Sequence, residues 1–209
     1  MSFKANCDYD NVKFTQFPAP SGEKPEMQKM NEYEVNVRGP REFVIGDNHF
    51  YDKNIINYCR TFSSVYEMNE YMIAQWNSVI ENNDTIFVLG DFFDFGNCTE
   101  TQAIEILNRL NGRKILIVGN HDVGYEEFYR SNGVEVIDYT IVKDGFWFLS
   151  HEPMFVTESA PYANIFAHVH TNPMYRTVSS HSFCASAERH DYTPVLLSEA
   201  KRMVIEYRE

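Results

Sequence analysis

From residue 41 onward, short apolar runs alternate with stretches whose apolar positions repeat at helical spacing. Phe43-Val44-Ile45, Thr85–Leu89 and Lys114–Val118 read as buried strands. Between them, Lys53–Cys59 reads as a helical turn, and Val65–Asn82 sets Met68, Met72, Trp76, Val79 and Ile80 on one helical face. Thr99 and Gln102 form a capping-box pattern ahead of Ala103, Ile104, Leu107 and Leu110, with Gly112 as the stop. A short helix is expected over 126–130. Val134–Val142 and Phe146–Leu149 read as a hairpin across Lys143-Asp144-Gly145. Asn164–Ala167 and His181–Ala187 are further strands, and Val195–Tyr207 is expected to begin as a helix and end as a strand. Strands alternating with helices, then a run of strands, predict an α/β domain with a mixed sheet or two stacked sheets.

Residues 1–40 differ. They hold Pro18, Pro20, Pro25 and Pro40 and little periodicity, so they read as an irregular N-terminal extension in which Glu32–Val37 is a possible edge strand. The domain proper is expected over 41–209.

The segments that follow the strands carry the chemistry. Phe43-Val44-Ile45 runs into Gly46-Asp47-Asn48-His49, and Thr85–Leu89 into Gly90-Asp91-Phe92-Phe93-Asp94. Lys114–Val118 runs into Gly119-Asn120-His121-Asp122. His151 ends another run, and His168-Val169-His170 follows Asn164–Ala167. In an open α/β sheet the loops at the carboxyl ends of the strands converge on one crevice. Of the 7 histidines, five fall in these segments. Imidazole mixed with carboxylate suits Mn, Fe, Zn or Ni better than Ca or Mg, which prefer oxygen alone. Each fragment alone is common in structural loops; the ordered set is not.

This set resembles the calcineurin-like metallophosphoesterase superfamily, whose pattern runs Asp-x-His, Gly-Asp-x-x-Asp, Gly-Asn-His-Asp/Glu, a lone His, then Gly-His-x-His. The likeness covers residues 43 to about 200 and is nearest to small bacterial and phage phosphoesterases, with Cys59-Arg60-Thr61-Phe62 and Tyr192-Thr193-Pro194-Val195 as supporting phrases. The resemblance implies a four-layer α/β/β/α sandwich and hydrolysis of a phosphate ester by water activated on two divalent cations, Mn first, with Fe, Ni or Zn as alternatives. By position it implies one cation held by Asp47, His49, Asp91 and His170. The other would be held by Asp91, Asn120, His151 and His168. His121 would protonate the leaving oxygen or stabilise the phosphoryl group, with Asp94 orienting its ring. Ala167 stands where the family usually has Gly, Thr61 where Pro is frequent, and Tyr51-Asp52 where Gly-His is common.

Other residues carry two readings each. Arg60 is either a bidentate phosphate contact or a salt-bridged arginine. Phe92, with Phe93 and Phe95, either stacks on a substrate ring or packs the floor of the site, the second being favoured. Tyr125 can reach the pocket, and Asp122 is expected to tie its own loop by hydrogen bonds.

Charge and composition narrow the partners. The net charge of −12 and the lack of a basic cluster speak against a grip on long duplex nucleic acid. No apolar run approaches a membrane span and no signal-like segment opens the chain, so a cytoplasmic protein with reduced cysteines is expected. A small, nucleotide-like phosphoester is the expected substrate. The same residues would serve a nuclease on polymers. A non-catalytic scaffold of this fold is the third alternative, but such relatives generally lose ligands or the catalytic histidine, and all stand here.

Overall fold

The computed structural model describes residues 39–157 and 159–208. The expected edge strand Glu32–Val37, like nearly all of the N-terminal extension, lies outside the described residues. Strands β1 (Glu42–Ile45), β2 (Thr85–Val88), β3 (Arg113–Ile117) and β4 (Glu135–Ile137) are parallel neighbours, and β9 (Val195–Leu196) joins β1 antiparallel, giving the order β4-β3-β2-β1-β9. Parallel neighbours need crossovers, and helices supply them. Helices α1 (Lys53–Cys59) and α2 (Val65–Val79) link β1 to β2, α3 (Glu100–Arg109) links β2 to β3, and α4 (Glu126–Ser131) links β3 to β4. The expected capping box closes α3 at Thr99 and Gln102.

A second sheet has the order β5-β6-β7-β8, from β5 (Ile141–Lys143), β6 (Trp147–Leu149), β7 (Ala163–Phe166) and β8 (Ser182–Cys184). Only the β5–β6 pair is antiparallel. Alternation along the first sheet's strands builds two cores. Phe43, Ile45, Ile86, Val88 and Leu116 pack with Met68, Met72, Trp76, Ala103 and Ile106 of the helices. Val44, Phe87, Leu89, Ile115 and Ile117 face Trp147, Leu149, Ile165 and Ala167 of the second sheet. With both faces covered, these strands read as unbroken apolar runs. Helix α5 (Leu197–Arg208) sets Leu197, Ala200 and Val204 into the second core, completing an α/β architecture of two packed sheets with helices outside them.

Two expectations change. Val134–Val142 is not one strand: its first part is β4 in the first sheet, and its second part is β5, which crosses to the second sheet. The segment from Val195 runs strand first and helix second, because Val195 and Leu196 are spent pairing with Val44 and Phe43 of β1. No helix among the described residues is long and apolar enough to cross a membrane.

Candidate metal centre

The strand ends turn abruptly. Asp47, His49, Asp91, His168 and His170 all adopt positive φ, at 55°, 49°, 54°, 72° and 47°. Such values are uncommon outside glycine and persist only where the surroundings impose them. Here the first two loops are laced by backbone bonds: Asp47 N donates to Gly90 O at 3.0 Å, His49 N to Asp91 O at 2.9 Å, and Phe50 N to Phe92 O at 3.0 Å. Close approach demands small residues as well. A Cβ on Gly46 would sit 2.3 Å from the Ala167 Cβ, so the methyl of Ala167 fits because its neighbour is glycine. Gly90, at φ +80°, carries the His151 ring where its own Cβ would stand, with Nδ1 2.4 Å from that point.

The expected ligands come together in overlapping clusters. Asp47, His49 and His170 form one, Asp91, His151 and His168 another, and His49, Asp91 and His121 a third; in each the donor atoms lie within 4.8 Å of one another. Asn120 joins the second cluster. Its Oδ1 is 3.0 Å from His151 Nε2 and 3.1 Å from His168 Nδ1, and those two nitrogens are 3.0 Å apart. A triangle of that size matches adjacent ligands around a cation bound at about 2.1 Å.

Ring orientation fits the same use. His151 Nδ1 is 2.8 Å from Leu89 O, His170 Nδ1 is 3.1 Å from Glu188 Oε1, and His49 Nδ1 is 3.3 Å from Asp52 Oδ2. Each ring thus turns Nδ1 to an acceptor and leaves Nε2 for a metal, the usual arrangement of a braced histidine ligand. The Asp47 Oδ2 atom is buried with no hydrogen-bond partner among the described residues, and His49 Nε2, buried 3.4 Å from Asp91 Oδ2, has no aligned one. Buried polar atoms left without partners point to a ligand. These donors fit a divalent cation.

The charges agree. Burial alone would favour neutral His49, but the carboxylates of Asp52 and Asp91 overcome it and lift the imidazole to about 9. Burial likewise opposes the Asp91 charge, yet His49 and His151 hold that carboxylate down to about 2. Asp122, expected to tie its loop, ties two: Oδ2 accepts from Asp91 N at 2.7 Å and Gly119 N at 3.0 Å, and Oδ1 from Phe92 N at 3.1 Å and Tyr129 OH at 2.6 Å.

Other expectations fare differently. His121 is exposed, its ring 4.8 Å from that of His49 and its backbone N–H on Asp91 Oδ1 at 2.8 Å. Asp94 instead accepts from Gly96 N and Asn97 Nδ2 in its own loop, and no hydrogen bond joins it to His121 among the described residues. Arg60 is buried, its guanidinium donating to Asp47 O, Asn48 O and Glu188 in the salt-bridged arrangement. Phe92 is fully buried and stacked between Trp76 and Tyr129. Tyr125 is half-buried and stacked on Phe95 at 3.9 Å. Sequence reading missed Asp52 and Glu188. Asp52, three residues after His49, offered a faint signal, whereas Glu188 offered none.

Comparison with known proteins meets this geometry over the same stretch. The family model for calcineurin-like phosphoesterases matches residues 41–184. The chain is 40% identical over 112 residues to an uncharacterized protein of Methanocaldococcus jannaschii, covering 53% of this chain and 58% of that one. It is 30% identical over 76 residues to the Gene 66 protein of Mycobacterium phage L5, covering 36% and 37%. The matches therefore span just over half and about a third of these curated relatives. Among solved structures, a protein of unknown function from Aquifex aeolicus is similar with 28% identity and a TM-score of 0.59, covering 78% of this chain and 99% of its own. The Pseudomonas putida nuclease MPE is 22% identical with a TM-score of 0.46, covering 62% of each. On the matched residues, and on the donor set they bring together, the chain belongs to the calcineurin-like phosphoesterase family.

Proposed function

We propose that this chain hydrolyses small phosphate esters, nucleotide-like ones foremost, with two divalent cations bound at adjacent sites. One observation carries the reading. Asp91 Oδ2 lies between the two halves of the donor set, 3.4 Å from His49 Nε2 and 3.5 Å from His151 Nε2, where a carboxylate can bridge two ions. Asp47, His49 and His170 complete the first site around it, and Asn120, His151 and His168 the second. Mixed imidazole and oxygen donors suit Mn, Fe, Ni or Zn, and the family resemblance puts Mn first. When bound, such a pair supplies Lewis acidity toward the phosphoryl oxygens and a water acidic enough to be a nucleophile near neutral pH.

The chain's own residues do the rest. Buried Asp91 and Asp47 keep the donor atoms fixed before substrate arrives, which lowers the reorganisation needed during reaction. His121, exposed beside His49, is placed to give a proton to the leaving oxygen or to hydrogen-bond the phosphoryl group. Asp94 closes the turn at Gly96 in its own loop.

The test is hydrolysis of p-nitrophenyl phosphate and bis-p-nitrophenyl phosphate by metal-stripped protein, with Mn, Ni, Zn or Mg restored. Mn-restored turnover supports the reading, and no turnover with any metal despite binding of two ions sinks it. Nucleotides and short oligonucleotides assayed side by side define substrate size; activity confined to longer chains would make it a nuclease. His121→Ala should keep both ions and lose about a hundredfold or more in turnover. Full activity in that variant would remove His121 from its role.

A further inference from the structure

Glu188 sits in a short helical turn, Ala187–His190, outside every motif of the site. Its side chain is 3% exposed, and its Oε1 gathers three neighbours. The Arg60 guanidinium donates to it at 2.7 Å, His170 Nδ1 lies at 3.1 Å, and the Cys59 Sγ at 3.7 Å. Its other oxygen, Oε2, is buried without a hydrogen-bond partner among the described residues. Cys59, His170 and Glu188 thus have the spacing of a further metal cluster. The chemistry argues otherwise. A guanidinium already holds the position a cation would take, and His170 turns its Nδ1 toward the carboxylate, leaving Nε2 free to ligate elsewhere.

Arg60 has a second attachment. It donates to the carbonyls of Asp47 at 2.5 Å and Asn48 at 2.8 Å, and the Tyr192 ring lies 5.3 Å from the guanidinium carbon. Asp47 follows β1 of the first sheet, whereas His170 follows β7 of the second. A single buried ion pair therefore connects two proposed ligands of one cation that come from opposite sheets.

On the two-cation reading above, we propose that Glu188, held by Arg60, is a positioning residue that aims the His170 imidazole and registers it against Asp47. The carboxylate fixes the tautomer with Nε2 free and makes that nitrogen a better donor. Its effect falls on the first cation alone, because its contacts among the described residues are Cys59, Arg60 and His170, and not Asn120, His151 or His168.

The experiment is calorimetric titration of the metal-stripped chain with Mn2+, alongside thermal unfolding of the metal-free protein. Wild type should take up two ions. Glu188→Ala should bind one with unchanged affinity and the other about ten- to a hundredfold more weakly. His168→Ala, which removes a ligand of the opposite site, should spare the ion that Glu188→Ala weakens, and the two substitutions together should weaken both. Glu188→Gln preserves shape without charge, and is read in the same way should the alanine variant fail to fold. Selective weakening at one site supports the proposal. Wild-type affinity at both sites, or equal weakening at both with a lowered unfolding temperature, overturns it. A wild-type chain that takes a single ion would overturn the two-cation reading instead. In that case loss of the ion in Glu188→Ala would still support the positioning role, and retention would end it.

Discussion

The loops leaving the first sheet and those leaving the second meet at one site, yet they are held by different means. The first sheet's loops share one buried fastener, since Asp122 accepts four hydrogen bonds that tie the Asp91 loop to the Gly119 loop and to Tyr129 of α4. The second sheet's loops hang on the first. His168 N donates to Asp47 Oδ1 at 2.8 Å, His151 Nδ1 meets Leu89 O, and Glu188 and Arg60 connect His170 to the Asp47 loop. The first rim is built within itself, and the second is registered onto it. Damage to the first rim should therefore reach both proposed cations, whereas damage to a single brace should reach only one.

The largest expected effect tests the first half of that contrast. Both oxygens of Asp122 accept from N–H or O–H groups, so the amide of Asp122→Asn must turn its NH2 toward donors whichever way it faces. Leaving such groups unsatisfied in a buried place should lower stability by about 3 kcal/mol in urea unfolding. Binding of both Mn2+ ions should weaken together. If only one ion is affected, the shared fastener is not shared.

What the sequence displayed, and what it hid, follows the same division. The strand ends were legible because a buried parallel strand is an unbroken apolar run, and a glycine followed by Asp or Asn marks its end. The order of residues along the chain is thus enough to bring Asp47, Asp91, Asn120, His151 and His168 to one place. Asp122 was legible too, as a carboxylate in excess of what its turn requires. Glu188 was not, because its partners Arg60 and His170 lie 128 and 18 residues away and only the fold joins them. Arg60 was ambiguous for the same reason, as nothing local reveals that a guanidinium is buried. Periodicity also could not show that the chain changes sheets between Ile137 and Ile141, because both flanking pieces are equally strand-like. In the last segment the helical spacing of Leu197, Ala200 and Val204 runs to the end of α5, where a closing strand is expected from the sequence.

A smaller effect sharpens the contrast from within the first rim. Asp52 braces His49 and also caps α1, accepting from Asn54 N at 2.7 Å and Ile55 N at 3.2 Å. Asparagine caps helices about as well as aspartate, so Asp52→Asn separates the two duties. It should keep stability near wild type while weakening the ion at His49 about tenfold. Asp52→Ala should lose about 1 kcal/mol of stability in addition. Calorimetry and urea unfolding on both variants check this. Weakening of both ions by Asp52→Asn would mean that single braces and shared fasteners act alike.

The smallest effect asks whether the first sheet can be made more or less stable without touching either rim. Lys114 lies near the start of β3, away from the strand end that carries Asn120, and its Nζ donates to the carbonyls of Leu110 and Gly112. Burial pushes its ammonium down to about 8 from the ordinary lysine value of 10.5. Between those values the unfolded chain holds a proton that the folded chain does not, so stability rises with pH across the window from about 8 to 10.5. Below about 8 both states are charged, and the full penalty of the buried charge remains. The group is partly exposed and solvent screens it, so the expected gain is discounted to about 1 kcal/mol. Other groups titrate in the same range, and the slope belongs to Lys114 only as a difference from Lys114→Met. That variant loses two hydrogen bonds at every pH, yet its stability should rise less between pH 8 and 10 than wild type, measured by urea unfolding. Mn2+ affinity at pH 8 should be the same in both proteins. Equal pH slopes would mean that the Lys114 ammonium is not held down in the fold, and a change in Mn2+ affinity would mean that the far end of β3 reaches the site after all.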